Sequence, residues 1–119
     1  MFIILFSCKE KETPILKHPD LLGFKVTTLA DSDEDLFDVI EKKEQQGIIE
    51  TKYINDILYV STFRILNACG NYEGNIETSN DTISLQLKLT SEEVCTSESA
   101  RRVTYLIYNP TSKKRIIIK

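Results

Sequence analysis

The stretch TISLQLKL, residues 82–89, alternates apolar and polar side chains without a break. Its isoleucine and leucine residues fall on one side of an extended chain, whereas Ser84, Gln86 and Lys88 fall on the other. A period of two predicts a β-strand with one face buried against a core and the other face polar. The stretch therefore favours a β-rich fold for the chain around it.

Turn residues divide the neighbouring sequence into further strands. The dipeptide Asn-Asp occurs at 55–56 and again at 80–81. Because Asn and Asp tolerate positive φ and can bond their own backbone, each dipeptide suits a two-residue hairpin turn. The two hairpins predicted in this way join strand 48–54 to strand 57–66, and strand 75–79 to strand 82–89.

Two more regions complete the predicted strands. Residues 24–29 form one strand, and residues 103–108 and 115–119 flank a turn at 109–112, which predicts a last hairpin. Seven short strands, mostly antiparallel and adjacent in sequence, predict a mainly β fold with one short helix. The architecture expected is an antiparallel β-sandwich or a partly open barrel. A chain of 119 residues is enough for one such domain, which we expect at residues 23–119.

The single helix is expected directly after the acidic run at 31–35. Carboxylates favour the N-terminal turn of a helix, where the backbone N–H groups leave a partial positive charge. Leu36, Phe37 and Ile40 then recur at helical spacing, and Gly47 follows as a stop signal.

The same acidic run, Asp31-x-Asp33-x-Asp35, begins like a calcium-binding EF-hand loop. Such a loop needs glycine at its sharp turn and a bidentate glutamate at its end. Leu36 and Lys42 stand at those two places. We therefore expect no metal site here.

The sequence offers no catalytic set and no cofactor motif. His18 is the only histidine, which we expect at the surface, and the four glycines form no phosphate-binding loop. We therefore expect no catalytic residue and no cofactor. The formal net charge of -3 is spread over mixed lysine and glutamate sequence, which disfavours binding to nucleic acid.

The beginning of the chain has two interpretations. Residues 2–6 form an apolar block that stops at Ser7-Cys8, and a charged segment follows at 9–12. The block is either a buried first strand with a free Cys8 in the core, or the end of a secretion signal.

The residues Leu5-Phe6-Ser7-Cys8 resemble the lipobox of bacterial lipoproteins, in which the cysteine is acylated after cleavage. The resemblance implies a signal remnant at 1–7, a lipid on Cys8 that holds the protein at the membrane, and a flexible tether at 8–22. The segment Lys9-Glu10-Lys11-Glu12 is similar to one that accompanies surface display in lipoproteins of Bacteroidota, but it also fits a solvated, charged tether with no such signal. The expected location is the bacterial cell envelope. There the protein would be an outer-membrane lipoprotein that faces the periplasm or the cell surface.

The chain has three cysteines, and an odd count leaves one of them unpaired. If Cys8 carries lipid in an oxidising compartment, Cys69 and Cys95 can form a disulfide. The alternative is that both are reduced, buried thiols. Together with Val94-Cys95, the runs at 67–74 and 81–85 resemble small lipoproteins of Bacteroidota with a two-cysteine β-domain. This resemblance implies a fold and a location but no particular activity.

Four tyrosines are candidates for a binding surface: Tyr53, Tyr59, Tyr105 and Tyr108. Exposed tyrosines can stack against sugar rings or anchor a protein interface, although tyrosine is also a common packing residue in strands. We expect a non-enzymatic binding or interaction module whose partner is an envelope protein or a glycan. The alternative is a small inhibitor or enzyme that acts in the periplasm or at the cell surface.

Overall fold

The computed structural model describes residues 17–110 and 114–118. Cys8, the expected signal remnant and the tether up to residue 16 lie outside the described residues. The described part contains seven strands and one helix, in this order: β1 (Leu21–Asp31), α1 (Asp35–Gln45), β2 (Ile49–Ile54), β3 (Ile57–Asn67), β4 (Tyr72–Thr78), β5 (Thr82–Leu89), β6 (Glu98–Tyr108) and β7 (Arg115–Ile118).

The strands form two sheets. The larger sheet has the order β1-β6-β3-β2 and is antiparallel throughout, and the smaller sheet has the order β4-β5-β7. Within the smaller sheet, β4 and β5 are antiparallel, whereas β5 and β7 are parallel. The predicted mainly β class is confirmed, and two open sheets are compatible with a β-sandwich.

One apolar core lies between the two sheets. It combines buried side chains from both of them, which are Leu58, Val60, Leu66, Val103, Tyr105 and Ile107 from the larger sheet, and Ile76, Ile83 and Leu85 from the smaller. The alternation predicted for 82–89 is confirmed at Ile83 and Leu85, which are 1% and 2% exposed. Burial of this apolar surface is the main force that holds the sheets together.

Both predicted Asn-Asp hairpins are confirmed. Strands β2 and β3 pair directly around the first turn, where Asn55 has a φ of 58°, a value that asparagine tolerates better than most residues. Strands β4 and β5 pair around the second turn, which is closed by the Ser79 N–H donating to the Thr82 carbonyl.

The predicted last hairpin is wrong. Strand β7 does not pair with β6 but crosses to the smaller sheet, where Ile116 lies opposite Ile83 in a parallel ladder. The reason is that β6 has no free edge, since β1 pairs along one side of it and β3 along the other. The expectation that most paired strands are adjacent in sequence is also wrong for the larger sheet, because β6 pairs with β1 and with β3.

The predicted helix is confirmed as α1. Phe37 and Ile40 are buried in a second apolar cluster, together with Ala30, Phe63 and Ala100 of the larger sheet. Leu36, also expected on the buried face, is instead 47% exposed. Asp35 and Asp38 lie in the first turn, and Lys42 and Lys43 lie in the last turn. Both groups of charges interact favourably with the helix dipole and stabilise the helix.

The Cys69–Cys95 disulfide is confirmed. It links the loop between β3 and β4 to the segment before β6, with Cα atoms 5.6 Å apart. The Asn67 side chain holds both half-cystines, because its Oδ1 accepts the backbone N–H of Cys69 at 3.0 Å and that of Cys95 at 3.1 Å. Loop and bridge therefore form one ordered unit at this end of the domain.

No helix in the described ranges is both long and apolar enough to cross a bilayer.

Candidate functional site

The structure divides the four candidate tyrosines between two faces of the larger sheet. Tyr53 and Tyr105 lie opposite the buried residues Leu58 and Val60, on the face toward the smaller sheet. Tyr59 and Tyr108 point to the outer face, because side chains alternate along a strand.

Tyr105 belongs to the core and not to the surface. It is 2% exposed, its ring meets Phe24 edge to face at a centroid distance of 5.2 Å, and its hydroxyl donates to the Gln86 carbonyl at 2.8 Å. This hydrogen bond joins the two sheets. Burial raises the pKa of Tyr105 to about 12, and the positive charge of Arg64 opposes the shift.

The raised pKa of Tyr105 predicts alkaline destabilisation. The folded state holds the phenolic proton more tightly than the unfolded state, whose tyrosine pKa is about 10. The stabilisation is complete below pH 10 and is lost as the pH rises toward 12, by about 2 to 3 kcal/mol. Urea titrations at a series of pH values should show this fall. A Tyr105→Phe variant with the same alkaline slope as wild type would contradict the assignment.

Tyr53 ties the edge strand β2 to the end of β6. Its ring is 40% exposed, but its hydroxyl accepts a hydrogen bond from Asn109 Nδ2 at 2.6 Å, and Asn109 is 4% exposed. Desolvation raises the pKa of Tyr53, and the hydrogen bond from Asn109 opposes this shift. Tyr53 satisfies a buried amide and therefore has a structural task.

Helix α1 covers only one end of the outer face. Phe63 lies beneath it and is 2% exposed, with Lys43 Nζ and the Arg102 guanidinium each 4.9 Å from the ring centroid. Near the helix C-terminus, the Glu44 carboxylate accepts the backbone N–H of Ile65, where β3 extends beyond its pairing with β2. The helix thus shields one end of the sheet face and one stretch of strand edge.

The rest of the outer face is left uncovered by described residues, and we call it the open face. Cross-strand registers place its side chains in rows. The open face consists of Lys25, Glu50, Lys52, Ile54, Ile57, Tyr59, Ser61, Arg102, Thr104, Leu106 and Tyr108.

The row nearest the helix is polar. Ser61 and Thr104 are cross-strand partners whose hydroxyl oxygens lie 3.0 Å apart. Arg102 Nη1 donates to Glu50 Oε1 at 2.8 Å and forms an ion pair with it. This row therefore presents two hydroxyls that are held by a hydrogen bond, next to the ion pair of Arg102 and Glu50.

The rows farther from the helix are aromatic and aliphatic. Tyr59 is half-buried between Lys52 on β2 and Leu106 on β6. Ile57 lies between Tyr108 on β6 and Ile54 on β2, and is the cross-strand partner of both. Tyr108 is 45% exposed and Ile54 is 44% exposed. The open face therefore passes from polar to apolar over three rows of residues.

A polar depression lies beside His18, which is half-buried and held in place by hydrogen bonds. The backbone N–H of Asp20 donates to Nδ1 at 3.0 Å, and Nε2 lies 3.1 Å from the Thr78 hydroxyl. Because Nδ1 accepts a hydrogen bond from the backbone N–H of Asp20, the neutral ring carries its proton on Nε2 and donates a hydrogen bond to the Thr78 hydroxyl. In this tautomer Nε2 already carries a proton, so it does not act as a base toward the Thr78 hydroxyl.

The backbone N–H of His18 also donates to Asn75 Oδ1 at 2.8 Å. Residues 17–22 were expected in the tether, but β1 begins at Leu21 and the preceding turn is bonded to β4.

Within the described residues, no group of three or more His, Cys, Asp or Glu side chains is arranged to hold a metal ion.

Two residues of the open face, Tyr59 and Tyr108, were predicted from the sequence, whereas their neighbours were not. The turn at 55–56 fixes Lys52 opposite Tyr59, so Lys52 and Ile54 could have been found from the hairpin register alone. Thr104 and Leu106 gave no such signal, because they reach the site through the long-range pairing of β3 with β6.

Comparison of the chain with protein-family models, curated proteins and solved structures gave no match.

Proposed function

We propose that this chain is a lipid-anchored protein of the bacterial cell envelope and that its domain is a non-enzymatic binding module. The open face is its binding surface. The observation that carries the proposal is the half-covered outer face, where α1 buries Phe63 while Tyr59, Tyr108 and Ile54 keep contact with solvent.

The chemistry of the open face is typical of recognition surfaces. Aromatic side chains supply large contact areas with few rotatable bonds, and tyrosine is enriched among the residues that dominate binding energy. The adjacent row of Ser61, Thr104 and Glu50 supplies hydrogen-bonding groups for orientation. Apolar anchors with a polar border match the anatomy of a protein interface or a glycan site.

The disulfide supports the location. A bridge between Cys69 and Cys95 forms and persists in oxidising compartments such as the bacterial periplasm. Pairing of these two cysteines leaves Cys8 as the thiol available for acylation. Two or three acyl chains on Cys8 would give a stable anchor, at roughly 0.8 kcal/mol for each buried methylene.

Acylation is tested by feeding an alkyne analogue of palmitate to bacteria that express the full chain. We expect label on the protein, none on a Cys8→Ser variant, and retention of the wild type in the membrane fraction. Cys69→Ser/Cys95→Ser is the matched control, since it alters two cysteines and leaves the acylation site intact. Equal labelling of wild type and Cys8→Ser would refute the anchor.

Binding is tested by immobilising the full chain and measuring which proteins and glycans it retains from an envelope extract. We expect Tyr59→Ala and Tyr108→Ala each to lower retention of the same partner at least tenfold. Val94→Ala is the control, because Val94 is 53% exposed and lies outside the open face. A partner retained equally by all three variants would show that another surface binds it.

A further inference from the structure

We propose that the open face binds an acidic glycan, a saccharide that carries carboxylate or sulfate groups. The inference rests on the proposed function of that face and names the chemical class of its ligand.

The shape and lining of the open face suit a saccharide. An open depression of about 420 Å³ lies over β2, β3 and β6, a volume within the range of small-molecule sites. Its lining mixes one aromatic ring with hydroxyls and charges, namely Glu50, Thr51, Lys52, Ile54, Tyr59, Ser61 and Thr104. A sugar ring has an apolar C–H face and a polar rim of hydroxyls, so it requires this mixture at close range.

The hydroxyls of the open face can form hydrogen bonds with sugar hydroxyls. Ser61 and Thr104 share one hydrogen bond, and each hydroxyl keeps lone pairs that are free to accept others. Hydroxyl hydrogens rotate to suit a partner, so the pair can both donate to and accept from sugar hydroxyls. Tyr59 stands one row away, which places a stacking surface beside these polar groups.

The charged side chains of the open face are mainly positive. The open face carries Lys25, Lys52 and Arg102 but only one acid, Glu50, although the whole chain has a net charge of -3. Glu50 is paired with Arg102. Lys25 and Lys52 have no ion-pair partner in the part of the chain that the structure describes. Two unpaired cations therefore favour a ligand with negative charge.

The position of the two lysines indicates a ligand of several units. Lys25 lies on the edge strand β1 and Lys52 on the opposite edge strand β2. Three strand spacings separate these edges, roughly 14 Å in all. An oligosaccharide that crosses the strands would meet one cation at each edge and stack on Tyr59 between them.

The test is calorimetric titration of the full chain with two acidic probes, tetragalacturonate and a chondroitin sulfate tetrasaccharide, and with neutral maltotetraose. We expect at least one acidic probe to bind at least tenfold more tightly than the neutral probe, with an affinity that falls as salt is raised. Binding of only one acidic probe would identify carboxylate or sulfate as the preferred group.

Variants locate the site. Lys52→Gln and Lys25→Gln should each weaken binding of the acidic probe about three- to tenfold, and Tyr59→Ala at least tenfold, while Lys88→Gln on the smaller sheet leaves it unchanged. Far-ultraviolet circular dichroism and thermal melting confirm that the variants fold. Equal weakening by Lys88→Gln would show that the attraction is not specific to the open face and would overturn the proposal.

Other outcomes separate this inference from the function on which it rests. Equal affinity for neutral and acidic probes, or binding of neither, would overturn the acidic-glycan assignment. The binding function would still stand if an envelope protein were retained in a Tyr59-dependent manner. Absence of any retained protein or glycan would count against both.

Discussion

Replacing Cys69 and Cys95 together by serine should lower the free energy of unfolding by about 3.5 kcal/mol. The bridge closes a sequence separation of 26 residues, and in the chain-entropy model its loss restores the freedom of that loop in the unfolded state. A small domain has a total stability of roughly 5 to 15 kcal/mol, so the loss is a large fraction of it. The melting temperature should fall by on the order of 15 to 25 °C.

The measurement is thermal and urea unfolding of the full chain, with Cys8→Ser as background so that no third thiol can exchange. Adding a reductant to the protein with the intact bridge should produce the same destabilisation as the double substitution. If the reduced protein and the variant both unfold at the midpoint of the oxidised protein, the bridge makes no net contribution. A change in the slope with urea would instead show an altered unfolded state.

Gly74→Ala should destabilise the domain by about 3 kcal/mol. Gly74 lies on β4 with its Cα facing the core, and an added Cβ would collide with the Phe24 ring and approach Tyr105 Cε2 to 2.9 Å. The two rings contact each other, so neither can move without disturbing the packing between the sheets. The expected result is a urea midpoint well below that of the wild type.

Gly23→Ala is the matched control, because it places the same methyl group on β1. The nearest atoms to its Cβ would be those of Leu106 at 3.6 Å, which is an ordinary van der Waals contact. We expect a change of less than about 1 kcal/mol, since alanine also restricts the unfolded chain. Similar effects of the two substitutions would mean that loss of glycine flexibility matters more than the collision.

Local features of the fold were predictable because local chemistry determines them. The alternation at 82–89, the Asn-Asp turns and the burial of Phe37 and Ile40 each follow from side-chain periodicity or from backbone preference. The exposed Leu36 shows where periodicity stops being sufficient, since the width of the buried stripe depends on what packs against the helix.

The partner of β7 was not predictable from its turn. Residues 109–112 suit a hairpin, but the choice of partner depends on which strand edges are free, and β6 has none. The start of β6 was missed for a related reason. Arg101 interrupts the apolar pattern there, and its Nη2 donates to the carbonyls of Asn67 and Ala68 once the strands are paired.

The candidate site was predictable only in part. Aromatic residues in strands indicated Tyr59 and Tyr108, but the same rule selected Tyr105, which is a core residue. The sequence does not show which face of a strand is covered, because α1 covers one end of the outer face and leaves the other uncovered. The rows of the open face exist only when the β2–β3 hairpin is in register with β1 and β6, which lie far from it and from each other in sequence.

The position of β6 between β1 and β3 also constrains how the chain can acquire its structure during synthesis. The ribosome makes β1 and β3 first, and their common partner is complete only at Tyr108. Until then β1 has no partner strand in the larger sheet, and β3 is paired only with β2. Contacts this far apart in sequence form slowly, on a scale of roughly milliseconds to seconds. The larger sheet is therefore completed only after β6, the last of its strands in chain order, has been made.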